Sequence, residues 1–300
     1  MDWLERVEGI RRWTRGGERA PHKPLLLLLV LGRLQHDGDH ALRFLDIETD
    51  LADLLREFGP PRSTSPGYPF HHLTNDGLWI VTTKSGGGSP GSGLTDLRTS
   101  EAAGRLAPDF ARALRSDPRL LAQVVRALLD ANFPPSLHAE IRAAVGLELE
   151  AAELGVTDSS TSARRARSAE FRRDVLLAYE YRCSFCGYDG LLRNTAVGID
   201  AAHVRWWAFD GPDAVTNGLA LCSLHHKLFD KGVLGLDTQH RVSVSAHFVG
   251  RSPSARTLVL DLLGRPMLCP QPGFGPPDTE HLVWHRRQVF QSPERQQVAR

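Results

Sequence analysis

The chain has 300 residues with 36 basic and 35 acidic side chains, which gives a formal net charge of +1 at pH 7. This balance does not indicate a nucleic-acid-binding protein, and any such binding would have to use local basic patches. The longest apolar run, Leu25 to Leu31, has seven residues, which excludes a membrane span of about 20 residues.

The length of the chain predicts two domains, each large enough to bury its own core. The N-terminus shows no signal-peptide pattern. We therefore expect a cytoplasmic protein without membrane contact, whose reduced cysteines can bind metal.

The first 150 residues are mostly helical in pattern, with short predicted strands between the helices. Asp46 is placed to cap a helix, and prolines at 118, 134 and 135 are expected to break the last helical stretch. The predicted elements are a helix at 2–13, a helix beginning at Pro24 and continuing through the buried run 25–34, a strand at 41–45, a helix at 46–58, a strand at 78–83 and two or three helices within 107–144.

Two N-terminal segments contain residue types that suit ligand binding better than packing. In the first, His22 and Lys23 lie between two prolines at the mouth of a helix. The prolines would hold a rigid loop, and a helix N-terminus favours a phosphate group. The second, Ser65 to Gly77, gathers aromatic, proline and histidine residues in a predicted loop, where binding residues are common.

A polar segment from Gly155 to Ser162 predicts a linker between the two halves. Beyond it we expect a helix at 169–181, a hairpin at 233–248 and a helix at 279–290.

An arginine-rich stretch with one acidic residue, Glu170, follows the linker. Its arginines are Arg164, Arg165, Arg167, Arg172 and Arg173. Such a patch predicts phosphate contacts at the entrance to the second domain. A solvated linker without ligand contacts is the alternative.

Two residue pairs about forty residues apart have the spacing of a zinc site. They are Cys183-x-x-Cys186 and Cys222-x-x-His225. Zinc prefers four nitrogen or sulfur ligands in a tetrahedron, and Cys-x-x-Cys is a common spacing for two of them. Because all four positions are filled by protein, the predicted zinc is structural. The alternative is a set of unrelated buried cysteines, and Cys269 is expected to be a bystander.

The segment between the two pairs predicts two strands and a helix. We expect a strand over 194–201 leading to His203, a second strand over 218–222, and a helix over 223–230 that ends at Gly232. His225 and His226 are neighbours, so on a helix they point roughly 100° apart. One can face the zinc while the other faces the groove between strand and helix.

The zinc frame and the order His203, Asn217, His226 resemble the HNH (ββα-metal) endonucleases. The resemblance implies that His203 is the general base that takes a proton from water, a task that its unperturbed pKa near ~6.5 suits. It implies that Asn217 ties down a loop and orients the base, and that His226 binds a catalytic Mg²⁺ or Mn²⁺ ion. Each residue alone has a simpler explanation, such as a core histidine or an Asn-Gly turn with Gly218, but their order inside the zinc frame favours catalysis.

The chain departs from many HNH enzymes in having Ala202 directly before the general base, where a second metal ligand is usual. The pattern Ala-Ala-His with a downstream His-His-x-Leu-Phe-Asp resembles a subgroup found in restriction-type nucleases. Asp200 and Asp230 are the candidates for the second ligand.

The segments Pro-His-Lys-Pro, Tyr-Pro-Phe and Asn-Asp-Gly-Leu-Trp resemble the sulfur-binding domain of phosphorothioate-dependent restriction enzymes of the McrA type. The resemblance covers about residues 1–150. It implies a sulfur pocket formed by Tyr68, Pro69 and His72 and closed by a later loop, in which Ser92 and Gly93 are the candidates. His22 and Lys23 are the candidates for base-edge and phosphate contacts. A hydrophobic plug over the core is the alternative for the Tyr68 segment.

The sequence therefore predicts an α+β protein with a helix-rich sulfur-binding-like domain (1–154), a linker (155–168) and a zinc-containing HNH nuclease domain (169–300). Its predicted function is to recognise phosphorothioated double-stranded DNA and to cut nearby. Since each chain has one active site, cutting both strands predicts a homodimer or two chains gathered on one DNA. The alternatives are an HNH nuclease that reads methylated or unmodified DNA, and a non-catalytic zinc protein that binds DNA.

Overall fold

The chain divides into two units, Met1–Val156 and Thr157–Arg300. The computed structural model describes residues 2–10, 18, 20–149 and 160–296, and for residues 160–168 it describes the helical backbone alone. The division falls within the predicted linker at 155–168, of which residues 155–159 lie outside the described part. Both units combine helices with short antiparallel sheets, which confirms the predicted α+β class.

The N-terminal unit is organised around a leucine-rich helix. Its described helices are α1 (Trp3–Glu8), α2 (His22–Asp37), α3 (Phe44–Phe58), α4 (Gly67–His72), α5 (Leu94–Thr99), α6 (Pro108–Ser116), α7 (Pro118–Asp130) and α8 (Pro135–Ala144). The run from Leu25 to Leu31 in α2 is buried throughout because α3, α4 and α7 all pack against it. The predicted breaks are confirmed, since α7 and α8 each begin at a proline whose missing N–H costs nothing there.

A small sheet joins the helices of this unit. Strands β1 (Leu42–Arg43), β2 (Trp79–Thr82) and β3 (Ala103–Leu106) are antiparallel in the order β1-β3-β2. A Cβ atom at Gly104 would come within 1.9 Å of the Trp79 ring, so only glycine lets that ring lie across β3. The Trp79 Nε1 group donates a hydrogen bond of 3.0 Å to the carbonyl of Phe70, which ties the sheet to α4.

Two predicted helix starts are wrong by a few residues. Helix α2 begins at His22, so Pro24 lies within the first turn, where its missing N–H has no helical partner to lose. Helix α3 begins at Phe44 with Arg43 at the N-cap. Asp46 does not cap the helix, because its carboxylate accepts hydrogen bonds of 2.9 and 2.8 Å from the Arg43 guanidinium.

Two other N-terminal predictions also need correction. The predicted helix at 2–13 ends at Glu8 with Gly9 as its C-cap, and residues 11–13 lie outside the described part. The predicted loop at 65–73 is helical, since it contains α4 followed by a 3₁₀ turn at Leu73–Asp76. Gly77 ends that turn with a φ of 68°, a left-handed conformation that favours glycine.

The C-terminal unit packs a long helix against a two-stranded hairpin and a short helix. Its described helices are α9 (Ser160–Ala178), α10 (Ser223–Asp230), α11 (Pro253–Leu258) and α12 (Thr279–Gln288). Its described strands are β4 (Leu191–Leu192), β5 (Thr195–Ala196), β6 (Ile199–His203), β7 (Gly218–Cys222), β8 (Leu234–Leu236) and β9 (Val242–Val244). The core lies between α9, the β6–β7 pair and α10.

The predicted strand at 218–222 and helix at 223–230 are confirmed as β7 and α10. The predicted strand at 194–201 is wrong, because Gly198 at a φ of 71° separates β5 from β6. Helix α9 starts at Ser160 rather than at 169 and ends three residues before the predicted end, where Glu180 and Tyr181 have positive φ. Among the described residues, no helix is long and apolar enough to cross a membrane.

Candidate active site and DNA-contacting cleft

The four predicted zinc ligands lie close together in the C-terminal unit. The ligand atoms of Cys183, Cys186, Cys222 and His225 all lie within 4.8 Å of one another. The Nδ1 atom of His225 is 3.4 Å from the Cys183 sulfur and 3.2 Å from the Cys222 sulfur. These spacings suit three thiolates and one imidazole around a tetrahedral ion.

A backbone contact fixes the tautomer of the histidine in this cluster. The carbonyl of Leu258 can only accept, so the Nε2 atom of His225, at 2.7 Å, donates to it, and Nδ1 is the nitrogen that faces the sulfurs. Burial lowers the pKa of His225, but its hydrogen bonds with Cys183 and Cys222 outweigh burial and raise the pKa to about 10, so zinc binding at Nδ1 would displace a proton. Hydrogen bonds from Cys186 and Cys222 hold the pKa of the Cys183 thiol well below its usual value. Three thiols and one imidazole within reach of one another are a ligand set that zinc binds after their protons are lost, so the residues fit this ion.

The next residue on α10, His226, pairs with an acid one turn further along. Its Nε2 atom is 3.2 Å from the Asp230 carboxylate, whose side chain is only 1% exposed. Burial alone would lower the pKa of His226, but the charge and the hydrogen bond of Asp230 outweigh it, and the pKa is raised. The pair therefore attracts positive charge, which is the property that a cation site requires.

His203 ends strand β6 and is held on two sides. Its Nε2 atom is 2.8 Å from Oδ1 of Asp213, and its ring is stacked on Phe171 of α9 with centroids 3.9 Å apart. Burial lowers the pKa of His203 below its ordinary value, although the charges of Asp213 and Asp230 raise it. The imidazole is therefore neutral near pH 7, as a general base must be.

Asn217 is completely buried between the strands and ties down the loop that connects them. Its Oδ1 accepts from the Arg205 backbone N–H at 2.8 Å. Its Nδ2 donates to the carbonyls of Arg205 and Pro212 at 2.9 and 3.0 Å. All of the side chain's polar atoms thus hold one loop, which begins after His203.

Gly218 does not make the sharp turn expected after Asn217. It has extended backbone, with φ −120° and ψ 148°, and it pairs with His203 as the first residue of β7. A Cβ atom there would lie 2.4 Å from Val175, so glycine is needed for the close approach of α9.

The two candidates for a second metal ligand lie in different surroundings. Asp200 is exposed and accepts a hydrogen bond of 2.8 Å from Nε of Arg172, which also donates to the Ile199 carbonyl. Asp230 is buried beside His226. The geometry therefore favours Asp230 over Asp200 as a partner of His226.

Part of the predicted arginine patch can be placed. Arg172 is engaged by Asp200, and Arg173 forms ion pairs with Asp174 and Glu170. The side chains of Arg164 and Arg165 lie outside the described part of the chain.

The N-terminal unit contains an open cleft of about 760 Å³. Most of the predicted DNA-contacting residues line it, namely His22, Lys23, Tyr68, His72 and Ser92. Pro69 is buried in α4 and does not line the cleft, and neither does Gly93.

Aromatic rings form one wall of this cleft. The Tyr68 side chain is 37% exposed, and its ring lies 4.3 Å from that of His72 and 6.1 Å from that of His22. Burial, followed by the nearby charges of His71 and Lys23, lowers the pKa of His72. His72 is therefore neutral near pH 7, so the part of the wall formed by Tyr68 and His72 presents aromatic surface without charge.

Lys23 is less available for a phosphate than its position in the sequence suggests. Its Nζ atom donates to Asp76 at 2.6 Å, and the two side chains are only 12% and 3% exposed. Arg62, another basic residue of the cleft, pairs with Glu18 at 3.0 Å. Both basic groups are therefore matched by acids.

Sequence reasoning missed Asp213, Phe171 and the cleft residues Arg62 to Ser65. No local pattern marks Asp213 or Phe171, because each meets His203 only through the fold. The Arg-Ser-Thr-Ser stretch at 62–65 precedes the Tyr68 segment directly, and this adjacency could have included it in the prediction.

Comparison with known proteins gives a family-model match in each half of the chain. Residues 1–150 match the family model described as ScoMcrA-like, DNA sulfur-binding domain, and residues 183–237 match the HNH endonuclease model. A search of curated proteins found no match.

Solved structures also resemble the N-terminal part. The sulfur binding domain of ScoMcrA complexed with phosphorothioated DNA is 24% identical with a TM-score of 0.42, and the match covers 49% of this chain and 96% of that one. The corresponding domain of SprMcrA, also complexed with phosphorothioated DNA, is 26% identical with a TM-score of 0.42, covering 49% and 93%. On the two family models, the chain belongs to the ScoMcrA-like DNA sulfur-binding family and carries an HNH endonuclease domain after its sulfur-binding domain.

Proposed function

We propose that this protein is a restriction endonuclease that recognises phosphorothioated duplex DNA through its N-terminal unit and hydrolyses a nearby phosphodiester through its HNH site. The observation that carries the proposal is the presence of both domains in one chain, with the aromatic cleft in one and the His203–Asn217–His226 set in the other.

The cleft has the chemistry to prefer sulfur over oxygen. Sulfur is larger, more polarizable and less hydrated than a phosphate oxygen, so it loses little on contact with the Tyr68 ring. An oxygen there would lose water without gaining a partner, a penalty of about 1–3 kcal/mol. This penalty corresponds to roughly tenfold to hundredfold discrimination.

The ion pairs of the cleft support the same preference. Because Lys23 is matched by Asp76 and Arg62 by Glu18, neither offers a full positive charge to an ordinary phosphate. Binding would then depend on the fit of the sulfur and on polar contacts to the bases, for which His22 and Ser92 are placed on the walls.

At the HNH site, His203 takes a proton from water. The water oxygen forms a bond to phosphorus, the bond from phosphorus to the leaving oxygen breaks, and that oxygen takes up a proton. Asn217 keeps the loop beside His203 in place. His226 and Asp230 would hold a Mg²⁺ or Mn²⁺ ion, which when bound would supply charge stabilisation for the phosphate and the leaving oxygen.

The Cys183, Cys186, Cys222 and His225 cluster would hold a structural zinc ion, because no ligand position is left open for water or substrate. The ion would link the knuckle at 183–187 to the end of β7 and the start of α10. That link fixes the helix that carries His226. Zinc therefore acts on catalysis through the scaffold.

Each chain has one HNH site, so one chain can cut only one strand during a single binding event. We propose a homodimer as the form that cuts both strands. Nicked and linear products from a modified plasmid, measured across protein concentrations, would test this, since a dimer yields linear product directly. Accumulation of nicked plasmid at every concentration would contradict it.

The proposed function is tested by comparing phosphorothioated, methylated and plain duplexes of the same sequence, with Mg²⁺ or Mn²⁺ and with a chelator control. We expect cleavage of the phosphorothioated duplex alone, lost with chelator and lost in His203→Ala while binding persists. Equal cutting of the plain or methylated duplex would refute sulfur recognition. Binding without metal-dependent cleavage would indicate a non-catalytic DNA-binding protein.

A further inference from the structure

Asp213 is the acid that contacts the general base of the proposed nuclease. Its Oδ1 atom lies 2.8 Å from Nε2 of His203, and both side chains are partly exposed. It lies ten residues downstream in the chain, at the far end of the loop that connects β6 to the 3₁₀ turn before β7.

We propose, on the basis of the proposed function, that Asp213 is a positioning residue that selects the Nε2–H tautomer of His203 and so leaves Nδ1 as the nitrogen that takes a proton from water. A carboxylate can only accept a hydrogen bond, so the ring nitrogen that faces it must carry the proton. The same logic applies wherever a buried acid orients a catalytic imidazole.

The Phe171 ring complements this contact. It is stacked on the imidazole with an interplanar angle of 13°, and therefore restricts tilting of the His203 ring. Asp213 fixes which nitrogen is protonated and the direction in which it points. Together the two contacts leave the imidazole one orientation and one tautomer.

The loop geometry connects Asp213 to Asn217. The Asn217 amide donates to the carbonyl of Pro212, the residue directly before Asp213. A Cβ atom at Gly211 would lie 1.8 Å from the Arg205 carbonyl, so glycine allows the loop to close here. Asn217 therefore also helps to place the Asp213 carboxylate beside His203, because it holds the peptide that carries this acid.

The contact is not an ordinary ion pair. Burial lowers the pKa of His203, so near pH 7 a neutral N–H donates to the Asp213 carboxylate. The other titratable groups that influence the ring are Asp230, which raises its pKa, and His226, which lowers it. Within the described residues, the Asp213 carboxylate lies at hydrogen-bonding distance of the His203 ring and is placed to choose its tautomer.

The chain offers a matched control in Asp210. It lies in the same loop, and its side chain is 95% exposed. Its carboxylate is 4.0 Å from the guanidinium of Arg205. Like Asp213→Asn, Asp210→Asn removes one negative charge without changing the size of the side chain. Asparagine also tolerates the left-handed φ of 61° at this position. Asp213→Asn differs because its amide can also donate to Nε2, which would favour the wrong tautomer.

Cleavage of phosphorothioated duplex with Mg²⁺ provides the first test. We expect Asp213→Asn to lower kcat about 10- to 100-fold with little change in KM, a smaller loss than the ~10²–10⁴-fold expected for His203→Ala. Asp210→Asn should cleave as the wild type does, and Asp213→Glu should recover part of the rate. The acidic limb of the pH profile should move to lower pH in Asp213→Asn, because a carboxylate that raises the pKa of His203 is lost. An unchanged limb with reduced rate would indicate a merely structural role and overturn the proposal.

The second test does not require cleavage. In ¹⁵N-histidine-labelled full-length protein, the signal of His203 is assigned by its loss in His203→Ala. We expect the Nε2–H tautomer in the wild type and in Asp210→Asn, and a mixture in Asp213→Asn. An Nδ1–H tautomer in the wild type, or no change in Asp213→Asn, would refute the role of Asp213 even if the enzyme cuts DNA. Absence of cleavage with the expected spectra would refute the proposed function alone.

Discussion

Replacement of Asn217 tests whether the loop after His203 depends on one buried side chain. Asn217→Ala removes the acceptor for the Arg205 N–H and the donor for the carbonyls of Arg205 and Pro212. A buried polar group left unsatisfied costs about 1–3 kcal/mol. Because water can reach part of this loop, we take the lower end for each of the three groups, which gives about 3 kcal/mol.

Asn217→Asp keeps the size and the acceptor but loses the donor. An ionised carboxylate would face the carbonyl oxygens of Arg205 and Pro212, so the pKa of the introduced acid is raised in the folded state. A group with a raised folded pKa stabilises the fold below its unfolded pKa, and the stabilisation is lost as the pH rises through the folded pKa. We therefore expect Asn217→Asp to be less destabilised at pH 5 than at pH 8, relative to the wild type.

Hydrogen exchange followed by mass spectrometry suits this prediction because it reports each unit of the chain separately. We expect faster exchange at 199–222 in both variants, with reduced DNA cleavage. The control is Asn132→Ala, which removes another buried asparagine amide, bonded to Leu128 in the N-terminal unit. It should increase exchange there and leave 199–222 unchanged. Normal exchange and normal cleavage in Asn217→Ala would refute the reasoning.

Further outcomes can be measured on the same protein. Cys186→Ala should lose bound zinc by elemental analysis and loosen the C-terminal unit, while phosphorothioate binding by the N-terminal unit persists; retention of zinc would contradict the ligand set. Tyr68→Ala should lose most of the roughly tenfold to hundredfold preference for sulfur in fluorescence-anisotropy titrations. Asp76→Ala should destabilise the N-terminal unit by about 3–5 kcal/mol by leaving Lys23 buried without its acid, and a second change, Lys23→Met, should restore much of the loss. The cleavage rate should rise with pH to a plateau with a midpoint below about 6.5, because burial lowers the pKa of His203 and the base acts when deprotonated.

Local spacing predicted the parts of the site whose geometry is local. The four candidate zinc ligands lie in a turn and at a strand–helix junction, and the Cys-x-x-Cys and Cys-x-x-His spacings predicted that they would lie together. The divergence of His225 and His226 follows from helix geometry alone. These features needed no knowledge of distant packing.

Contacts between distant elements could not be predicted in this way. Phe171 reaches His203 because α9 packs across the β6–β7 pair, and Gly218 permits that approach by having no side chain. The preference for Asp230 over Asp200 depends on Arg172, which engages Asp200 from another helix. In each case the decisive neighbour lies on a separate element, where periodicity and spacing carry no signal.

Proline-rich segments misled the prediction for a different reason. Prolines at 66 and 69 suggested a loop around Tyr68, yet both fit the start of helix α4, where the N–H groups lack helical partners. The helix bears on the proposed function, since it places Tyr68 and His72 one turn apart on one face, with their ring centroids 4.3 Å apart.

The energetics of the proposed sulfur recognition bear on the proposed homodimer. A sulfur contact that discriminates by about 1–3 kcal/mol gives roughly tenfold to hundredfold preference, whereas a genome offers ~10⁶–10⁹ competing sites. One aromatic cleft therefore cannot direct cutting by itself, and base contacts from its polar walls must add to it. If two chains must be bound before both strands are cut, their preferences multiply to about 10²–10⁴-fold, because each chain discriminates independently. The homodimer that supplies two HNH sites thus also increases the preference for modified DNA over unmodified DNA.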